Sequence, residues 1–257
     1  MKTISPKVWI VGAGPGDPEL ISVKGLKTVQ RADVILYDAL VSPELLEFAP
    51  AFCKKVYVGK RKGKKEFLQE EINQLIVFYA TRFGCVVRLK GGDPNVFGRG
   101  HEEMEYANRR GIKVEVIPGI SSALAAPSSA GIPLTKRGIN ESFWVITGTL
   151  SSGEISNDIA LAAQSSATVI VLMGMSHLQK IAELFKTFRS PEEPVALIQE
   201  ATTSNQKIAI GTAGNICQSA HAAGITSPAV IVIGKVVDEN TVTNAMVVLK
   251  SRVIAED

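Results

Sequence analysis

Two glycine-bearing stretches and one basic stretch of this chain have residue types and spacing suited to ligand chemistry. VVRLKGGDPNVFGRGHEE (86–103) is an apolar run that halts at Gly91 and Gly92, then turns polar with Asp93, Asn95, Arg99 and His101. Adjacent glycines weaken ordinary structure, and a chain tolerates them where the backbone must come close to something else. In an open α/β sheet that something is a ligand, because ligands sit beyond the carboxyl ends of the strands. VGAGPGD (11–17) follows another apolar run and precedes helical spacing, the context in which Gly-x-Gly loops receive dinucleotide phosphates. KKVYVGKRKGKK (54–65) is dense in Lys and Arg. It suits either a solvated loop or an electrostatic landing site for a polyanion.

A nicotinamide dinucleotide is the obvious ligand to weigh. Asp38 closes VILYD (34–38), roughly where such folds place the acid that binds the ribose. Two features oppose it. The third glycine of G-x-G-x-x-G falls on Asp17, whose carboxylate repels a pyrophosphate, and Pro15 and Pro18 stiffen the loop.

The elements that position these residues follow from hydrophobic periodicity. Short β-branched runs predict strands at 8–12, 34–38, 56–59, 86–90 and 114–118, alternating with helical spacing at 19–32, 70–82, 101–111 and 121–131. Around IPLTKRGINES (132–142) the periodicity lapses and turn formers accumulate, which places a domain boundary after residue 135. A second series of strands is predicted at 142–148, 168–174, 194–200, 207–212 and 228–237, with helices at 156–164, 177–188 and 213–224. The short link between 200 and 207 implies a hairpin and hence a mixed sheet. The fold class is therefore α/β, with two α/β domains (1–135 and 136–257) on mostly parallel or mixed sheets.

Composition narrows the function classes. With 257 residues and 46% hydrophobic content the chain is long and apolar enough to bury a real core. No apolar run approaches the roughly 20 residues that span a bilayer, so no membrane role is expected. Three widely spaced cysteines (Cys53, Cys85, Cys217) and three scattered histidines give no metal or redox spacing, which fits a reducing, cytoplasmic compartment and no metal site. The net charge of +3 is too small to argue for nucleic acid, and aromatic residues for stacking bases are scarce at 6%.

Taken together the motifs resemble the tetrapyrrole methylase family. The resemblance runs from about Val8 to Val237 and is carried by VGAGPGDPEL (11–20), ADVILYDALVSPE (32–44), VYVGKRKG (56–63), QEEINQ (69–74), the 86–103 stretch, VIPGISSALAAPSSAGIPLT (116–135) and PAVIVIGKVV (228–237). The first of these is shared with sister enzymes; GKR with RLKGGDP and VFGRG is far more specific. It implies two α/β domains with S-adenosyl-L-methionine in the cleft between them, leaving as S-adenosyl-L-homocysteine. It implies cofactor contacts at Pro15, Gly91, Gly92, Asp93, Val96, Ser121, Ser122, Met173 and Ala201. Asp38 carries over as proton acceptor and Lys60 as proton donor. Arg61, Lys62, Arg99, Lys136 and Arg137 are the implied partners of substrate carboxylates. Within the family the wording is similar to the members that methylate uroporphyrinogen III at C2 and C7 to give precorrin-2, as cytoplasmic homodimers. Later precorrin methylases, diphthine synthase, an rRNA ribose methylase and a non-catalytic binding module are the alternatives. Asn95, His101, Lys136 and Ala201 depart from residues frequent at these positions.

Overall fold

The computed structural model describes residues 5–59 and 67–237. They form two compact units that divide between Ser122 and Ala123.

In the first unit five strands, β1 (Lys7–Gly12), β2 (Val34–Tyr37), β3 (Lys54–Tyr57), β4 (Cys85–Lys90) and β5 (Lys113–Ile117), make one wholly parallel sheet in the order β3-β2-β4-β1-β5. The central β4 is paired on both sides, Val86 with Val8 of β1 and with Val34 of β2. Side chains alternate between its two faces. On one face Val8, Ile10, Val34, Leu36 and Val86 pack against Ile72, Ile76, Tyr79 and Ala80 of α2 (Gln69–Phe83) and Ala107 of α3 (Gly100–Asn108). On the other, Val11, Ile35, Val87 and Leu89 pack against Val29 of α1 (Val23–Val29).

Two local departures from the expected elements have physical causes. Helical spacing from residue 19 is broken into a 3₁₀ turn (Pro18–Leu20) and α1, because Ser22 caps α1 by accepting from the Gly25 amide at 3.1 Å. The third strand begins at Lys54, two residues before the apolar run, since Lys54 and Lys55 are exposed on an edge strand where charge is tolerated.

The second unit holds α4 (Ser122–Ser129), whose first residue precedes the division, and the sheet of β6 (Phe143–Thr147), β7 (Thr168–Leu172), β8 (Pro194–Gln199), β9 (Lys207–Thr212) and β10 (Ala229–Ile233). Its order is β6-β7-β10-β8-β9. β6 and β7 run parallel, while β8 and β9 form the expected antiparallel hairpin and β10 is antiparallel to both its neighbours. Ile159 and Ala162 of α5 (Asp158–Ala163), Ile181 and Phe185 of α6 (Leu178–Phe188), and Ile216 and Ala220 of α7 (Ile216–Ala222) cover one face. Ala123, Ala126, Ala130 and Ile132 cover the other against Ile170, Ala196, Ile198 and Val232. The unit break therefore precedes the lapse in periodicity that suggested residue 135: the small-residue helix packs on the second sheet. Among the described residues no helix is long and apolar enough to cross a membrane.

Candidate active site

In the first unit the loops after β1, β4 and β5 converge at the carboxyl edge of the sheet, and glycine makes the convergence sterically allowed. The Ala13 amide donates to Lys90 O at 2.7 Å, and Gly14 and Gly92 exchange backbone hydrogen bonds at 2.7 and 3.3 Å. A methyl on Gly12 would lie 2.5 Å from Gly119 Cα and 2.7 Å from Gly92 O, closer than real carbon atoms approach. Three strand ends thus touch backbone to backbone. Gly92 differs from its neighbours. Its φ is +65°, and a methyl there would meet nothing nearer than Ser121 Cα and Ser122 N, both at 3.9 Å. The loop leaves room at that one point for a foreign atom.

Asp93 braces this cradle. One carboxylate oxygen accepts from the Asn95 amide at 2.8 Å and the other from the Gly119 amide at 3.0 Å, linking the loop after β4 to the loop after β5. Asp17 is an N-cap: its Oδ1 accepts from the Glu19 amide at 2.8 Å and starts the turn before α1. Pro15 lies between Gly14 and Gly16, both of positive φ.

Asp38 directly follows β2. Its Oδ1 accepts from the Leu40 amide at 3.1 Å, Oδ2 lies 3.5 Å from Arg88 Nη2, and a quarter of the side chain stays exposed. Arg88 and Lys90 were not singled out from the sequence. Alternation along β4 places both with Val86, under α3, where Glu103 accepts from Arg88 Nε at 3.2 Å and Lys90 Nζ at 2.9 Å. The available signal was a pair of cations two residues apart inside a central strand, which demands a buried acid opposite. Burial and the neighbouring Arg88 push the Lys90 ammonium below the usual lysine range despite Glu103.

Further along, Arg99 holds Glu102 with two hydrogen bonds of 2.8 and 2.7 Å. That hydrogen bonding raises the guanidinium further and lowers the Glu102 carboxyl. Both side chains are more than half exposed, so the pair adds little stability. Val96 and Phe97 are likewise exposed.

In the second unit Met173 follows β7 and is exposed, with its carbonyl accepting from Thr149 Oγ1 at 2.7 Å. Ala201, buried, follows β8 between Glu200 and Thr202, and the Thr202 amide donates to Gln206 Oε1 at 2.7 Å. Lys136 and Arg137 are exposed in a turn that Asn140 closes by accepting from the Lys136 amide at 2.9 Å. Lys60, Arg61 and Lys62 lie outside the described residues.

Backbone strain marks the same places. Among the described residues the non-glycine positions of positive φ are Phe97, Arg99, Met173, Glu200 and Thr202. Each costs about 1–3 kcal/mol and persists where surrounding structure over-determines it, typically at ligand sites. All five lie in, or flank, the segments from which the cofactor and substrate contacts were expected.

The fold and these glycine-lined strand ends define the class. A family model for tetrapyrrole (corrin/porphyrin) methylases matches residues 7–217, and the chain belongs to that family. More particularly, it is 48% identical over 234 residues to a Methanocaldococcus jannaschii uroporphyrinogen-III C-methyltransferase, covering 90% of this chain and 97% of that one. It is 42% identical to a Psychrobacter siroheme synthase over 92% of its own length, but spans only 50% of that longer protein. The crystal structure of a Thermus thermophilus uroporphyrin-III C-methyl transferase complexed with S-adenyl homocysteine superposes with a TM-score of 0.77 at 38% identity, covering 90% of this chain and 98% of that chain.

Proposed function

We propose that the chain methylates uroporphyrinogen III at C2 and C7 with S-adenosyl-L-methionine, giving precorrin-2 through precorrin-1. The product feeds sirohaem and cobalamin-type tetrapyrrole synthesis, and the active form is a homodimer. Similarity to the methyltransferase that it matches over nearly that enzyme's whole length supports the substrate. The observation that carries the cofactor is the open space at Gly92, inside a cradle where Gly12, Gly14, Gly91 and Gly119 are packed against neighbouring atoms.

When bound, S-adenosyl-L-methionine supplies an electrophilic methyl carbon on a sulfonium. Gly92 lets the backbone approach the methionine part of it, while Gly91 makes the room that Leu40 occupies against the strand end. Asp93 keeps the second lone pair of each oxygen for an ammonium or ribose hydroxyls, while its first pair fixes the loop. Holding an electron-rich pyrrole carbon in line with the methyl supplies several kcal/mol through proximity. The attacked pyrrole then becomes cationic and sheds a proton, which Asp38 accepts at the strand end. Acid–base assistance of this kind is worth about 10²–10⁴-fold. Lys60 is the candidate proton donor. The basic stretch around it, with Arg99, Lys136 and Arg137, suits the substrate's carboxylates.

Calorimetry tests the cofactor assignment. S-adenosyl-L-methionine and S-adenosyl-L-homocysteine are expected to bind with a one-to-one stoichiometry per chain, and NAD and NADP to give no heat. Nicotinamide binding without a response to the adenosyl ligands overturns it.

A further inference from the structure

The charged group beneath Asp38 is built more elaborately than packing requires. Arg88, Lys90 and Glu103 have side chains only 4%, 6% and 0% exposed. Glu103 Oε1 accepts three donors, Arg88 Nε and Lys90 Nζ together with Gln69 Nε2 at 3.2 Å, while Oε2 has no partner among the described residues. Three donors on one oxygen beside an idle one is a geometry that aims the donors rather than saturating the acceptor. Arg88 is fixed on a second side, where Nη1 donates to Leu89 O at 2.9 Å. Its remaining nitrogen, Nη2, faces Asp38 Oδ2.

Charge counting points the same way. Two buried cations against one buried carboxylate leave a net positive charge, and an isolated buried charge is strongly unfavourable. The carboxylate that completes the set is Asp38, which lies at the exposed margin. A group serving only to fill the space under α3 would be at least as stable as a neutral pair or as apolar side chains.

We propose that Arg88 and Glu103 are positioning residues for the proton acceptor, Glu103 fixing the guanidinium and the guanidinium fixing the Asp38 carboxylate against the reacting carbon. The inference rests on Asp38 being that acceptor. Neither residue touches the substrate; both act through Asp38.

A mutant cycle separates this role from a structural one. Arg88→Met leaves Glu103 and Lys90 as a neutral buried pair and keeps an unbranched apolar stem in place of the arginine methylenes, so the protein is expected to fold. Its kcat is expected to fall about 10- to 30-fold, with S-adenosyl-L-homocysteine affinity within about twofold of wild type. In an Asp38→Asn background the same change is expected to lower kcat by less than about twofold, because a residue that works through Asp38 has nothing left to position. The double variant Glu103→Gln/Lys90→Met, which leaves Arg88 paired with Asp38 alone, is expected to fold and still lose about tenfold in kcat. Additive losses in the cycle, or wild-type kcat in Arg88→Met or in the double variant, overturn the positioning role. Full turnover in Asp38→Asn alone would instead remove the acceptor assignment, so the two failures are distinguishable.

Discussion

Asp38→Asn is expected to lower kcat by about 10² or more while cofactor affinity stays within a few-fold of wild type. The substitution keeps shape and volume and removes the group that takes the proton after methyl transfer. Asparagine can still accept from the Leu40 amide, but its amide nitrogen then faces Arg88 Nη2, donor against donor. Losing that contact leaves Arg88 and Lys90 balanced by Glu103 alone. At this partly exposed margin that costs about 1.5–3 kcal/mol, or a fall of roughly 3–12 °C in Tm for a chain of this size. If Asp38 held the cofactor's ribose, the loss would appear in affinity at about 1.5–3 kcal/mol. A turn residue would lower Tm and spare both constants. A folded Asp38→Asn protein with full turnover would sink the catalytic assignment.

The second large effect concerns two glycines whose surroundings differ. A methyl on Gly119 would collide with Gly92 O and sit 2.7 Å from Gly12 Cα, backbone that cannot swing aside. Gly119→Ala is expected to cost about 1–3 kcal/mol of stability and to weaken cofactor binding by displacing Gly92. Gly92→Ala has space for its methyl in the free protein, so its stability cost is the roughly 1 kcal/mol of a left-handed backbone. That methyl occupies the point left open to the ligand. Cofactor affinity is expected to fall by about 2–3 kcal/mol, roughly 30- to 150-fold. Thermal melts and calorimetry on the two variants check the contrast. Wild-type affinity in Gly92→Ala would remove the cradle from the cofactor site.

Much of this was legible in the sequence because parallel strands buried on both faces read as apolar runs. VWIVG, VILYD, VVRLK and VEVIP each contain or nearly coincide with a strand of the first sheet. The short link between 200 and 207 likewise gave the β8–β9 hairpin. The glycines of GGDP were legible as a close approach, though not what they approach. That Gly12, Gly92 and Gly119 meet depends on sheet order, which puts β1 between β4 and β5. Periodicity carries no information on that order. Arg88 and Lys90 hid for a different reason: a cation inside an apolar strand looks like an exposed position until the helix above it, and Glu103, are placed. The break at Ser122 was obscured because SSALAAPSSAG has no strong hydrophobic period, so nothing along the chain says which sheet it covers. The strained backbone at Met173, Glu200 and Thr202 has no sequence signal, since none of these residue types favours positive φ.

The central claim is methyl transfer to a specific acceptor, and direct transfer tests it. The protein would be incubated anaerobically with methyl-labelled S-adenosyl-L-methionine and freshly reduced uroporphyrinogen III, and the tetrapyrrole analysed by mass spectrometry. Two labelled methyl groups per macrocycle, with S-adenosyl-L-homocysteine formed in the same ratio, are expected. A protein that binds the cofactor yet leaves the macrocycle unlabelled, or stops at one methyl with excess donor present, would contradict the account.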